Sequence, residues 1–381
     1  MKKLLKILLA LSLIGFILSL IAFLTGNKHL FSVIRHNFPG IDDYKIFSNR
    51  KIRKSEQPKA WKITKEYNTI RLSSRLRKKL EQLRSIAFLV IRDDSILYEE
   101  YWEGYGPDSI SNSFSMAKTY VGVLTGVALK NGFLQSLDQP VADFIEEFKK
   151  DNRRDITIRH LITMSSGLNW KESYINPLSV TSRGYYGDDI IKTCLRLRPV
   201  EKPGSLFEYR SGDTQLLAMV LEKATGMNLS QNMEQYLWRP TGTEHDAYWS
   251  LDRIYGMEKA YCCLNSNARD FARLGKLFLH NGIWEGKQLL DPDFVKESLR
   301  PAPLTDKVTG QKIDYYGYSW WLLPEYKGYR IFYARGILGQ YVIVIPQKKL
   351  IITRLGRKRG RKTGPHFEEL YLMIDEALEK W

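Results

Sequence analysis

Ile86-Ala87-Phe88-Leu89-Val90-Ile91, then Asp93-Asp94, then Ser95-Ile96-Leu97-Tyr98 is the stretch on which the fold turns. An apolar run one strand long, an acidic pair suited to a turn and a second apolar run predict a β-hairpin. Strands recur only near the other end of the chain, over Gly328–Ala334, Gln340–Ile345 and Lys349–Leu355, separated by Gly336, Gly339 and Pro346-Gln347. Between them helical spacing dominates from about 135 to 290, with Ile158–Met164, Thr214–Thr225 and Ala268–His280 the clearest examples. A final amphipathic helix is expected over Phe367–Lys380. Strands at both ends with helices between them predict an α+β fold: one antiparallel sheet, flanked by helices, carrying a mostly helical insertion.

The N-terminus reads differently. After Lys2, Lys3 and Lys6, the eighteen residues Ile7–Leu24 are apolar except for Gly15 and two serines, near the length that crosses a bilayer. Residues 1–25 are therefore expected to be a membrane anchor or signal segment. Without an Ala-x-Ala site or a lipid-attachment cysteine, an uncleaved single-pass anchor is favoured, with the rest of the chain extracytoplasmic. Residues 26–60 read as a basic linker and 61–381 as the folded domain.

The chain of 381 residues carries a formal charge of +16. Its excess shows in Arg50-Lys51-Ile52-Arg53-Lys54 and Arg357-Lys358-Arg359-Gly360-Arg361-Lys362, expected as solvated loops or as contacts to an anionic lipid or wall polymer. No stacking aromatics interleave these runs, so no nucleic-acid partner is expected. Cys194, Cys262 and Cys263 make no disulfide framework; the adjacent pair is expected to be buried filler. The histidines never fall at metal-ligand spacing, so no metal site is expected.

Chemistry points to Ser115-Met116-Ala117-Lys118 at the start of a helix, where a spacing of three places hydroxyl and amine one turn apart on one face. A lysine with a lowered pKa can take the serine proton, and the free N–H groups of the helix start can stabilise developing negative charge. Tyr209-Arg210-Ser211 offers a phenol to relay that proton, and Gly336 allows substrate to lie against strand backbone. No Gly-x-Ser-x-Gly elbow occurs, which excludes an α/β-hydrolase.

With Ser113-Phe114-Ser115-Met116-Ala117-Lys118-Thr119, Ile158 to Leu168, Ala268 to Gly275 and Gly339-Gln340 in order, the chain resembles the serine beta-lactamase and penicillin-binding-protein superfamily over roughly residues 84 to 370. The resemblance is strongest to its class C branch, which includes esterases and 6-aminohexanoate-dimer hydrolases. It implies Ser115 as acylated nucleophile, Lys118 as base, Tyr209 as proton relay and the backbone N–H groups of Ser115 and Ile337 as oxyanion hole. Ser211, Gly336 and Tyr186 are implied as substrate contacts, Tyr186 standing among Trp170, Tyr174 and Tyr185 in the pocket wall. His366 lies where the branch can place a supporting histidine, although an exposed side chain is expected there.

The resemblance implies no cofactor. Ala334 stands where penicillin-recognising members carry Lys or His, and Arg335 should face the other side of the strand. A small ester or linear amide is thus the expected substrate. A D,D-peptidase or beta-lactamase, and a non-catalytic ligand or peptidoglycan sensor, are the competing readings.

Overall fold

The computed structural model describes residues 2–381. Helices α1 (Lys2–Leu24) and α2 (His29–His36) lead into strand β1 (Asn49–Ile52), β2 (Lys62–Ile63) and helix α3 (Ser74–Gln82). The hairpin β3 (Ser85–Arg92) and β4 (Ser95–Tyr101) follows, then β5 (Ser111–Asn112) and α4 (Met116–Lys130). The insertion holds α5 (Val180–Tyr186), α6 (Ser211–Thr225), β6 (Ala247–Ser250), β7 (Leu264–Ser266) and α7 (Ala268–Leu279). β8 (Trp321–Tyr326), β9 (Tyr329–Gly336), β10 (Gln340–Ile345), β11 (Leu350–Gly356) and α8 (Glu368–Lys380) complete the chain.

The main sheet has seven strands in the order β8-β9-β10-β11-β3-β4-β2, so the C-terminal strands pair directly with the N-terminal hairpin, Ile351 opposite Ile91. All its pairings are antiparallel except the short β2–β4 contact. The unbroken apolar run of β3 follows from cover on both faces. Phe88 and Val90 pack with Leu370, Met373 and Ile374 of α8 and Leu76 and Leu80 of α3. Leu89 and Ile91 join the core of α4 and α7. A strand wetted on one face would alternate instead. Helix α7 lies close on the sheet because a Cβ on Gly275 would come within 2.9 Å of Ile351 Cγ2.

Two expectations change. Residues 26–60 are not a stalk: β1 pairs with β6, Asn49 opposite Ser250 through Ile52 opposite Ala247, and Ile41 and Ile52 are fully buried. The basic run hides an edge strand, since its long cations reach acidic partners at its margin: Arg50 pairs with Glu258 (2.6 Å), Lys51 with Asp246 (2.7 Å) and Arg53 with Glu234 (2.7 Å). In the second run Arg357 pairs with Asp42 and Glu103, at 2.9 and 2.8 Å. Within the mostly helical insertion, β6 and β7 join β1 and β5 in a second sheet in the order β1-β6-β7-β5. Only long-range pairing stabilises strands so short.

Candidate active site

The second sheet delivers Ser115. β5 pairs with β7, and Ser113 N–H donates to the Leu264 carbonyl at 2.9 Å. The chain then turns sharply: Phe114 takes a left-handed φ of 46°, with its N–H donating to Asn112 Oδ1 at 2.8 Å. Ser115 follows as the N-cap of α4. A serine there ordinarily caps the helix with its own hydroxyl, but Ser115 makes no side-chain cap. Its Oγ instead accepts a 3.0 Å hydrogen bond from Lys118 Nζ.

Lys118 is 1% exposed, and its amine also donates to the Tyr261 carbonyl at 2.9 Å. The rings of Tyr209 and Tyr261 flank it, their centroids 5.1 and 5.3 Å away. Burial pulls its pKa down to about 8, against the opposing influence of the Glu172 carboxylate. α4 provides this dryness, because every residue from Met116 to Ala128 is buried.

The Tyr209 phenol reaches the same point from the segment before α6. Burial pushes its pKa up, while interaction with the Ser115 hydroxyl and the charge of Arg335 pull the other way. Its ring packs on Trp321 (5.3 Å between centroids) and Tyr316 (5.9 Å). The segment is held by buried Arg210, which bonds Glu201 at 3.0 Å, and by Asp213, which accepts from Ser166 Oγ at 2.6 Å. The Ile158–Leu168 block thus braces the tyrosine loop.

β9 closes the other side. A Cβ on Gly336 would lie 2.2 Å from the Ser113 carbonyl oxygen, so only glycine lets the strand pass the turn before Ser115. Ile337 follows in a tight turn pinned by fully buried Arg354, which donates to the Gly339 carbonyl at 2.6 Å and the Leu338 carbonyl at 3.0 Å. Ala334 packs into the core shared with α4 and brings no charge to the cleft. Arg335 donates to the Pro365 carbonyl at 2.9 Å and lies 3.6 Å from the centroid of the Trp321 ring, on which Tyr209 also packs.

Ser211 is buried beside Tyr209, with its N–H donating to Glu172 and its hydroxyl lacking a hydrogen-bond partner among the described residues. Tyr186 sits one step away: its phenol donates to the Asn37 carbonyl at 3.0 Å and its ring lines a cavity next to the cluster. Tyr174 shares that cavity wall. Its phenol is pushed to high pKa by burial and by Glu172, and the Ser115 hydroxyl opposes the shift. Neither Glu172 nor Tyr261 was legible from spacing, since both meet Lys118 through loops distant in sequence; Tyr174 announced itself only as one aromatic among several.

Two further expectations are corrected. His366 is buried, 5% exposed, with Nδ1 2.5 Å from the Tyr333 hydroxyl, and burial pushes its pKa down to about 4. Its place beneath the sheet against Tyr333 and Tyr371 comes from the fold of the last turn, which composition does not reveal. Cys262 and Cys263 form a disulfide in the chain directly after the Tyr261 carbonyl that holds Lys118. Cys263 takes a left-handed φ of 68°, and Trp249 Nε1 donates to the Cys262 carbonyl at 2.9 Å, so tertiary contacts hold a bend that adjacency alone does not suggest.

The arrangement provides a hydroxyl, a buried amine and a phenol at one point, with a helix start and a strand end beside it. The sequence pattern of the Beta-lactamase family matches residues 72–370. The 6-aminohexanoate-dimer hydrolase of Paenarthrobacter ureafaciens is 26% identical over 296 residues, covering 74% of each chain. A Bacillus anthracis structure provisionally described as a 6-aminohexanoate-dimer hydrolase aligns with a TM-score of 0.72 at 21% identity, over 89% of this chain and 93% of that one. A family VIII carboxylesterase aligns at 0.64 and 15% identity, over 84% and 99%. Matched across most of its length, the chain belongs to the beta-lactamase family of serine hydrolases.

Proposed function

We propose that this chain hydrolyses a carboxylic ester or linear amide through an acyl-Ser115 intermediate. The observation that carries the reading is the buried Lys118 amine, its pKa drawn to about 8, at 3.0 Å from Ser115 Oγ. In its neutral form that amine takes the hydroxyl proton as Oγ attacks the substrate carbonyl. Negative charge on the carbonyl oxygen is met by the backbone N–H groups of Ser115 and Ile337. The Tyr209 phenol passes a proton to the leaving alkoxide or amine, the carbon–heteroatom bond breaks, and water then attacks the acyl-enzyme by the same route in reverse. Ser211, Gly336 and Tyr186 contribute to the walls that orient the substrate.

Ala334 supplies no cation for a substrate carboxylate, which weighs against beta-lactam and D-Ala-D-Ala substrates. The P. ureafaciens relative, named as a hydrolase of a 6-aminohexanoate dimer, supports the ester or amide reading. α1 is long and apolar enough to cross a bilayer, with lysines at its start, and supports an anchor that leaves the domain on the extracytoplasmic side. A fluorophosphonate probe is expected to label the full chain, and labelling is expected to vanish in Ser115→Ala. Equal labelling of both proteins would sink the nucleophile assignment, and no labelling of either would favour a ligand sensor.

A further inference from the structure

Large apolar side chains cluster in water where the chain leaves α1. Phe31 and Ile34 on α2 and Phe38 just past its end are 45%, 82% and 61% exposed; Ile175 and Leu178 on the neighbouring loop are 86% and 58% exposed. The two segments form one surface, because His29 Nε2 lies 2.9 Å from the Pro177 carbonyl oxygen and α2 packs on α5. Arg183 donates to Asn27 Oδ1 at 2.8 Å, which ties the chain to the domain three residues past the end of α1. A bilayer spanned by α1 therefore ends beside this patch. Cations accompany it: Lys28, Arg183, Lys192 and Arg196 line a groove with Leu24, against Asp188 and Asp189.

Behind the patch the inner face of α2 walls a cavity of about 210 Å³, lined by Val33, Phe38, Tyr174, Ile175, Tyr185 and Tyr186 among others. Tyr174 belongs both to this cavity and to the surroundings of the Ser115 hydroxyl. The cavity thus lies between the exposed apolar face and the reacting serine.

We infer that the face formed by α2 and the 174–178 loop rests on an anionic lipid bilayer, and that the cavity behind it admits the aliphatic chain of an ester or amide dissolved in that bilayer. This rests on Ser115 as nucleophile and α1 as anchor. Exposed apolar side chains enter the headgroup boundary, flanking cations meet anionic lipid, and a substrate chain reaches the cavity without crossing water.

The test uses the full chain in vesicles of phosphatidylcholine and phosphatidylglycerol, with p-nitrophenyl acetate and p-nitrophenyl octanoate as substrates. Octanoate is expected to exceed acetate in kcat/KM by at least about tenfold, which two buried methylenes suffice to give. The double variant Ile34→Asp/Leu178→Asp, altered outside the cavity, is expected to lower that preference by loosening contact with the bilayer that holds the octanoate, and to leave acetate turnover unchanged. A ratio at or below one in the native chain, or a ratio the double variant does not lower, overturns the inference. Loss of Ser115-dependent turnover on both esters overturns the hydrolase reading instead. Bilayer contact is then read separately, from a fluorophore on Ile34→Cys: quenching by brominated lipid supports the contact, and emission no more quenched than from a fluorophore on exposed Val308→Cys refutes it.

Discussion

Two buried lysines in this chain show how one physical effect serves different ends. Burial pulls Lys118 down to about 8 and Lys259 to about 7, but only Lys118 has hydrogen-bond acceptors. For Lys118 the lowered value makes a base: the neutral amine is the active form, so kcat/KM is expected to rise with pH and level off above about 8. A profile flat from pH 6 to 9 would contradict this role, and initial rates on a short p-nitrophenyl ester settle it. Lys259 has no hydrogen-bond partner for its amine among the described residues, which lies 3.2 Å from the Phe47 ring centroid. Its folded pKa of about 7 lies below the unfolded value of about 10.4, so between these limits the unfolded chain binds more protons and stability rises with pH. Lys259→Met is expected to stabilise the protein by about 1–3 kcal/mol near pH 7 and to flatten that rise, as read by thermal melts across pH.

At the scale of elements, the site is the meeting of a turn, a helix start and a strand end, each held from elsewhere. Gly336 shows the tolerance: the Cβ of an alanine there would sit 2.2 Å from the Ser113 carbonyl oxygen. Gly336→Ala is expected to separate β9 from the turn before Ser115 and to lower kcat/KM by about 10²-fold, with far-ultraviolet circular dichroism unchanged. Activity near the native level would show that the strand end does not position the reacting groups. The hairpin β3–β4 and the strands β9, β10 and β11 were readable because each is a full-length apolar run between turn residues. β1, β5, β6 and β7 were not, having two to four residues each, too few to display a period. Ser115 and Lys118 were readable because one helical turn joins them, whereas Glu172 and the Tyr261 carbonyl come from separate loops.

Across the whole molecule, the Cys262–Cys263 disulfide bears on where the chain folds, because such bonds persist in oxidising compartments. Chain isolated from the membrane of an intact cell is expected to yield a peptide spanning the pair that is lighter by two hydrogens than after reduction, and neither thiol should react with iodoacetamide beforehand. Free thiols at both positions would argue against an extracytoplasmic domain. By itself the sequence determined the α+β class, the apolar N-terminal helix and the Ser115–Lys118 pair. Each depends on neighbours along the chain, in a strand-length run, an unbroken apolar stretch or a single helical turn. Only the tertiary structure decided that 26–60 belongs to the domain, that His366 is buried, that two adjacent cysteines are joined, and that Tyr209, Tyr261 and Glu172 surround one amine. Those outcomes depend on which distant segments share the low-dielectric interior, and residue spacing carries no record of that.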